Sequence, residues 1–390
     1  VTVLQPSVHD NASSMQNPIT YLTEHPCSTQ SLSESGIAEI RAHYLNVVLP
    51  IWRHAGFNAA MGLPFEAISS EDHMPLPPKR YRAMACARQL FVFSEIGDLT
   101  HAATLFASLR RYFYDGQNGG WFYSVDENGA PLERQKDLYT HAFVVFACAH
   151  YARISGTKAA FDLVDETAKL IEARFATGDG LLNAEVSEDF SATQTGPLQN
   201  PLMHLAEAWL AAREATGDST YDVRLAALLR SVARTFVDEA TGCIAELPIG
   251  SMDNRIEPGH QFEWFFLCMG SDNPAFVSAG LDRRLARAFD FAERHGVDER
   301  SGAVYAALDE SGSVIDSTQR IWAQTEYLRA LATRGVAADV LGAQIERYRR
   351  RFLHARGWVE SRSEDGAVSR ADMPSTTAYH LATAYASLPR

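Results

Sequence analysis

In Pro258-Gly259-His260-Gln261-Phe262-Glu263-Trp264, an imidazole and a carboxyl group stand three residues apart at the start of an apolar run. Pro-Gly marks a loop, and Phe265-Phe266-Leu267 follows, so the spacing predicts His260 in the first turn of a buried helix. Glu263 then lies one turn deeper on the same face. A helix N-terminus favours neutral imidazole, whereas a neighbouring carboxylate favours imidazolium. Opposed in this way, a histidine titrates near neutral pH and suits a general base. The same two groups also read as a capped helix start whose His and Glu merely satisfy buried hydrogen bonds.

Other candidates fall into register with this one. Glycine opens a short stretch six times, at Gly56, Gly119, Gly180, Gly242, Gly302 and Gly357, with intervals of 63, 61, 62, 60 and 55 residues. Intervals so even are an internal repeat. Counted from these glycines, His141 lies 22 residues on, His204 24, His260 18, Trp322 20 and His380 23. Each falls in the first or second turn of the helix that follows, and Asn200-Pro201 reads as an N-cap with a first-turn proline. One buried histidine is ordinarily a satisfied core residue, but four in one phase of a repeat point to a shared pocket. Arg88 joins them, because a guanidinium inside an apolar helix needs a partner or a ligand. Lys79, Arg80 and Arg82 near that helix start read as a solvated rim. No dense spacing supports a metal held by His204, His260, Glu263 and His380, so none is expected.

The elements that position these groups follow from the same repeat. Gly120–Gly129, Gly302–Gly312 and Gly357–Gly366 each run from aromatic or β-branched residues into an acidic, Gly-ended turn, which predicts small β-hairpins. Two helices come after each hairpin. One is apolar nearly all round, as in His141–Ala149 or Leu202–Leu210, and reads as buried; the other is amphipathic, as in Lys158–Phe175 or Tyr221–Val237, and reads as a cover. Six such pairs predict twelve helices, an inner ring of six inside an outer ring of six. An open superhelical solenoid is the competing geometry. In a ring, the phased side chains converge at one end. Residues 1–30 are rich in Ser, Thr, Asn, Gln and Pro without periodicity and read as a loosely held arm, which leaves 31–390 as one all-α domain.

Composition narrows the function. The 390 residues are 46% hydrophobic and 10% aromatic, enough for a large core, and carry a net charge of −13. That charge argues against nucleic acid or an anionic membrane as partner. Five cysteines are scattered without a C-x-x-C pair and read as buried thiols of a reducing compartment. No apolar stretch reaches the ~18 residues that span a bilayer, and no basic-then-apolar leader is visible, so a cytoplasmic location is expected. There is no G-x-G-x-x-G fingerprint, Walker loop or G-x-S-x-G elbow, and no cofactor is expected.

From about residue 40 onward the chain resembles the N-acylglucosamine 2-epimerase family, which includes aldose–ketose isomerases acting on mannose or sulfoquinovose. The resemblance rests on Cys86-Ala-Arg88-Gln-Leu, Tyr139-Thr-His141-Ala-Phe, Asn200-Pro-Leu-Met-His204-Leu-Ala-Glu-Ala, Pro258-Gly-His260-Gln-Phe-Glu263-Trp, Arg320-Ile-Trp322 and Tyr379-His380-Leu. It implies an (α/α)6 barrel and a metal-free proton transfer beside a sugar carbonyl. By these motifs His260 and His380 are the acid/base pair, Glu263 supports His260, and Arg88 and His204 hold the carbonyl and hydroxyl oxygens. Asn200, Tyr139, His141 and Trp322 line the sugar site. Such a reaction needs donors preorganised around an enediolate, and neutral imidazole can take and return the proton without a redox cofactor. Ser375-Thr376-Thr377-Ala378 stands where relatives that hold an anionic sugar carry other polar groups, which points away from sulfoquinovose.

The leading expectation is a mannose-to-fructose type isomerase acting on a neutral free sugar, and a homodimer is compatible with it. A 2-epimerase of N-acylglucosamine, mannose or a β-1,4-linked disaccharide is the alternative. A glycoside hydrolase on the same toroid would need two flanking carboxyl groups, and the pocket-phase acids Asp72, Asp137, Glu263 and Glu326 are outnumbered by histidine. A sugar-binding module without activity ranks last, since binding gives no reason for so many titratable groups.

Overall fold

The order in which the apolar helices touch decides between ring and solenoid. The computed structural model describes residues 32–77, 79–178 and 180–389; the expected arm at 1–30 lies outside these. The helices are α1 (Leu32–His43), α2 (Leu49–Arg53), α3 (Ala83–Glu95), α4 (Leu99–Phe113), α5 (Leu138–Ser155), α6 (Lys158–Arg174) and α7 (Gln199–Thr216). They continue as α8 (Thr220–Thr235), α9 (Pro258–Met269), α10 (Ala275–Ser278), α11 (Leu281–Gly296), α12 (Ile321–Arg334), α13 (Ala338–Phe352) and α14 (Thr377–Ser387). Helices α3, α5, α7, α9, α12 and α14 touch in succession, and α14 returns to α3. The ring is therefore closed: an (α/α)6 barrel, not an open superhelix.

Residue pattern separates the two rings as expected. Helix α5 buries Leu138, Thr140 to Ala149, Tyr151 and Ala152, almost its whole circumference. Outer helix α11 buries Leu281, Leu285, Ala288, Phe289 and Ala292 at three- and four-residue spacing and exposes Arg283, Arg287, Asp290 and Arg294. Helices α4, α6, α8, α11 and α13 each cover the inner helix that precedes them. The last inner helix, α14, is covered by α1. Arg41 of α1 donates to the carbonyls of Tyr385 and Leu388 at 3.0 and 2.9 Å, which satisfies acceptors that the end of α14 would leave bare.

Three of the six repeat glycines close the same turn. Gly119, Gly242 and Gly302 donate back to the carbonyls of Asp115, Asp238 and Asp298 at 2.9, 2.7 and 2.7 Å, with φ of +80°, +81° and +68°. Each turn folds the chain back into the hairpin that feeds the next inner helix. The strand before an inner helix then pairs with the following unit's hairpin: Arg82 faces Ser124, Asp137 faces Glu185, and Arg320 faces Ser361. Pro374 pairs with Ala67 and joins the last unit to the first. A girdle of small sheets thus rings the end of the barrel where the inner helices begin.

Gly242 has a second constraint, since a Cβ there would sit 2.3 Å from the backbone oxygen of Arg284. Gly156, at φ +67°, has nothing within 4 Å. Gly156→Ala should cost only the left-handed strain of about 1–2 kcal/mol. Gly242→Ala should cost clearly more, because helix backbone cannot give way. Urea unfolding of both variants checks this, and equal losses would contradict the clash.

Candidate active site

The first turns of the inner helices face a cavity of about 560 Å³ at the girdle end. Its size suits a small ligand, since such pockets run to roughly 300–1,000 Å³. His204, His260 and His380 all line it, with Arg88, Tyr139, Asn200, Glu263 and Trp322. Trp322 touches both outer imidazoles, with ring centroids 5.1 Å from His260 and 5.6 Å from His380. Gly259 permits this approach: a Cβ there would lie 2.7 Å from the indole.

All three histidines are held the same way. Nδ1 of His260 lies 2.7 Å from Glu246, Nδ1 of His380 lies 3.0 Å from Glu326, and Nδ1 of His204 lies 3.3 Å from Glu207. A carboxylate at Nδ1 fixes the tautomer and leaves Nε2 for the cavity. The charge states nevertheless diverge. Burial opposes a proton on His260, but the carboxylates of Glu246 and Glu257 outweigh it and push the group up to about 9. Burial, reinforced by the Arg88 guanidinium, holds His380 down to about 4 despite Glu326. Burial likewise lowers His204, against the pull of Glu207. The cavity therefore pairs a protonated imidazole with a neutral one, the arrangement that assigns acid and base.

Three further groups keep buried polar atoms without a partner. Arg88 has no carboxylate within 4 Å among the described residues. It donates to the Tyr139 hydroxyl at 2.6 Å and lies over the rings of Phe143 and Tyr379 at 4.2 and 4.8 Å, while its Nε has no partner. Both oxygens of Glu263 are buried and unpartnered, as is Oδ1 of Asn200. Burial, with Glu326 and Glu207 close by, raises Glu263 well above the carboxylate range, so it is a neutral acid with a proton to donate. At 3.9 Å from a neutral His204 it forms no ion pair.

The sequence profile described as N-acylglucosamine 2-epimerase matches residues 67–384. The chain belongs to this family. A Rhizobium meliloti relative named mannose-6-phosphate isomerase is 31% identical over 373 residues, covering 87% of this chain and 93% of its own. A Thermobifida fusca D-mannose isomerase is 29% identical over 57% of this chain and 59% of its own. Among solved structures, a cellobiose 2-epimerase from Bacillus thermoamylovorans superposes with a TM-score of 0.80 at 19% identity, covering 90% of this chain and 98% of that one. A D-mannose isomerase structure gives 0.79 at 19%, over 92% and 99%. The family and its named relatives make this chain an enzyme of the isomerase/epimerase type.

Within this family fold, several expectations need correction. His141 is not in the cavity. It is fully buried, its Nδ1 is 2.7 Å from the Asp137 carbonyl, and its Nε2 accepts the Trp121 backbone N–H at 3.1 Å. Burial drops it to about 3, so it stays neutral as a latch on the hairpin. Glu263 makes no hydrogen bond to His260; Glu246 does, on a hairpin that sequence reading passed over. Asp72 is exposed on a loop and outside the cavity lining, whereas Asp137 lines it and caps α5 by accepting from Thr140 N at 2.6 Å. Helix α7 begins at Gln199 with Leu198 as N-cap, so Asn200 sits inside the first turn and its side chain caps nothing. Glu207, Glu246, Glu257 and Glu360 also belong to the site or its wall. Glu207 could have been found by the argument used for Arg88, as an acid inside an apolar helix.

If His380 works neutral and His260 works charged, the rate must fall on both sides of neutrality. Acid protonates the base as pH drops through about 4, and alkali strips the acid as pH rises through about 9. We expect kcat/KM to trace a broad bell with those limbs. A single limb near pH 6.5 would contradict the split.

Proposed function

We propose that this protein is an aldose–ketose isomerase that converts D-mannose to D-fructose through a cis-enediol. The observation that carries this reading is that His380 and His260 face one cavity, each held at Nδ1 by a buried glutamate, with a second glutamate beside His260 and the Arg88 guanidinium toward His380. Neutral His380 takes the C2 proton through Nε2. Charge then develops on the carbonyl oxygen, where the unpaired Arg88 guanidinium and His204 supply donors in a buried setting. His260 donates to the sugar oxygens during ring opening, Glu263 and Asn200 hold hydroxyls, and Trp322 and Tyr139 pack on the sugar's apolar faces. A proton passes from the C2 hydroxyl to the C1 oxygen and His380 returns its proton to C1, giving the ketose with all atoms conserved.

Epimerisation at C2 would move the proton from one histidine to the other and leave the pair with exchanged charges. Each unit between their pKa values opposes that exchange by about 1.4 kcal/mol, so the swapped state lies several kcal/mol uphill and must be reset before the next turnover. An isomerase returns His380 to its starting state in every cycle. The relatives named mannose isomerase support the same choice. Four of the cysteines, Cys86, Cys148, Cys243 and Cys268, are buried free thiols, which suits the reducing cytoplasm. No described helix is long and apolar enough to cross a membrane.

A phosphorylated sugar is the second reading. Arg255 and Arg320 line the cavity, with side chains 49% and 43% exposed, and the Rhizobium meliloti relative carries that substrate in its name. Incubating mannose and mannose 6-phosphate separately in D₂O, with products followed by NMR, tests all three readings. We expect fructose with deuterium at C1 as the main early product from free mannose. Glucose labelled at C2 appearing first would make the chain an epimerase, and turnover of the phosphate alone would replace the substrate.

The reaction is read as metal-free. Groups such as Glu246, Glu257 and His260 bring nitrogen and oxygen atoms within 4.8 Å of one another, so the point needs a direct measurement. Dialysis against EDTA should leave the rate unchanged. Loss restored by Zn²⁺ or Mn²⁺ would reverse the reading.

A further inference from the structure

Two matching contacts give opposite outcomes in this cavity, and the cause lies one layer behind them. His260 and His380 each direct Nδ1 at a buried glutamate oxygen. Beyond His260 itself, Glu246 is bonded among the described residues to no cation but to an amide, Gln199 Nε2 at 2.9 Å, which also lies 3.0 Å from His260 Nδ1, and a second carboxylate, Glu257, approaches that nitrogen at 3.7 Å. Behind Glu326 stands a cation. Arg329 Nη1 donates to Glu326 Oε2 at 3.1 Å, and the two side chains are 5% and 0% exposed. The guanidinium is seated 3.5 Å over the ring of Phe266. Arg329 is absent from the cavity lining, so it touches no ligand there.

We propose that Arg329 is a positioning residue that acts through Glu326 to make His380 the base of the pair. A carboxylate that already holds a guanidinium can still orient an imidazole and fix its tautomer, but has less negative charge left to draw a proton onto it. The groups facing His380 are Glu326 from α12, Arg88 from α3, His204 from α7, Glu263 from α9 and Tyr379 on its own helix; Arg329 stands behind Glu326, and Glu207 behind Tyr379. Among them Arg329 is the cation bonded to the carboxylate that holds the imidazole. Its own charge is secured against burial by Glu326 and Glu207. The Phe266 face also accepts a guanidinium better than an ammonium on a flexible stem.

This inference rests on the reading of His380 as base, and the test separates the two. His380 is followed by NMR in histidine-labelled full-length protein, assigned by the signal lost in His380→Ala, alongside D-mannose kinetics. We expect Arg329→Met to move the His380 midpoint up by about one unit or more, a tenfold gain in proton affinity. With it, the acid limb of kcat/KM should move up by the same amount while KM at pH 7 stays within about threefold, because a base titrating one unit above about 4 is still neutral at pH 7. Arg329→Lys should return the midpoint and the limb most of the way, because it returns the charge. An active His380→Ala would sink the base assignment. A folded Arg329→Met with His380 titrating and the acid limb placed as in the wild type would sink this inference alone. Should Arg329→Met fail to fold, Glu326→Gln keeps the shape and removes the charge. It should release the Nδ1-protonated tautomer and lower kcat, and an unchanged tautomer and rate would overturn the inference.

Discussion

A carboxylate buried against an imidazole is the interaction on which this site depends, and it settles nothing by itself. It can pull the imidazole into its charged form, or it can merely hold a neutral ring by its N–H. Which occurs depends on how much of the carboxylate's charge is already met. At His260 two glutamates converge with an amide beside them, and the ring is charged. At His380 one glutamate is shared with Arg329, Arg88 stands nearby, and the ring is neutral. Two uses of one contact thus give an acid and a base without any change of residue type.

The barrel supplies what such a cluster needs, which is exclusion of water from several converging helix starts. Charges paired in a dry interior are costly to desolvate, and removing one partner leaves the other stranded. The closed ring spreads the cost over six helices that hold one another in place. The girdle of hairpins matters as much. Glu246 reaches His260 because its segment is tied to the start of α7, with the Gln199 N–H bonded to the Glu246 carbonyl at 3.3 Å. Glu360 occupies the matching place two repeat units on: its carbonyl accepts the Ile321 N–H at 3.0 Å, and its side chain accepts from Thr377 and Trp358.

How much of this was legible in the sequence follows from how precisely a repeat can be counted. Six evenly spaced glycines and alternating apolar and amphipathic segments were enough for the toroid, because ring closure needs only unit number and helix type. The site needs finer phase. His141, Gln261 and Gln324 all bond the backbone two residues after the repeat glycine, at Trp121, Ile244 and Val304. His141 is therefore in step with Gln261, one residue beyond His260. Hairpins of unequal length blur the count by several residues, and one residue on a helix turns a side chain by about 100°. Glu246 and Glu257 were out of reach for another reason. They belong to a hairpin loop and a helix cap, where acids are common and no helical periodicity marks them.

Residue type alone would not have separated architecture from chemistry here, but hydrogen-bond satisfaction does. Lys136 is wholly buried and looks as anomalous as Arg88. Yet its ammonium donates to Asp115 at 2.8 Å and lies 4.3 Å over Phe122, so it is spoken for. His141, Gln261 and Gln324 are likewise used up on backbone. In the cavity, by contrast, Arg88 Nε, Asn200 Oδ1 and both Glu263 oxygens are buried and bond to nothing among the described residues. Leaving such atoms bare costs about 1–3 kcal/mol each. A fold under selection for stability alone would have paired them or replaced them with apolar groups. Gathered at one end of the ring, around one charged and one neutral histidine, they mark the place where a polyhydroxylated ligand completes the structure.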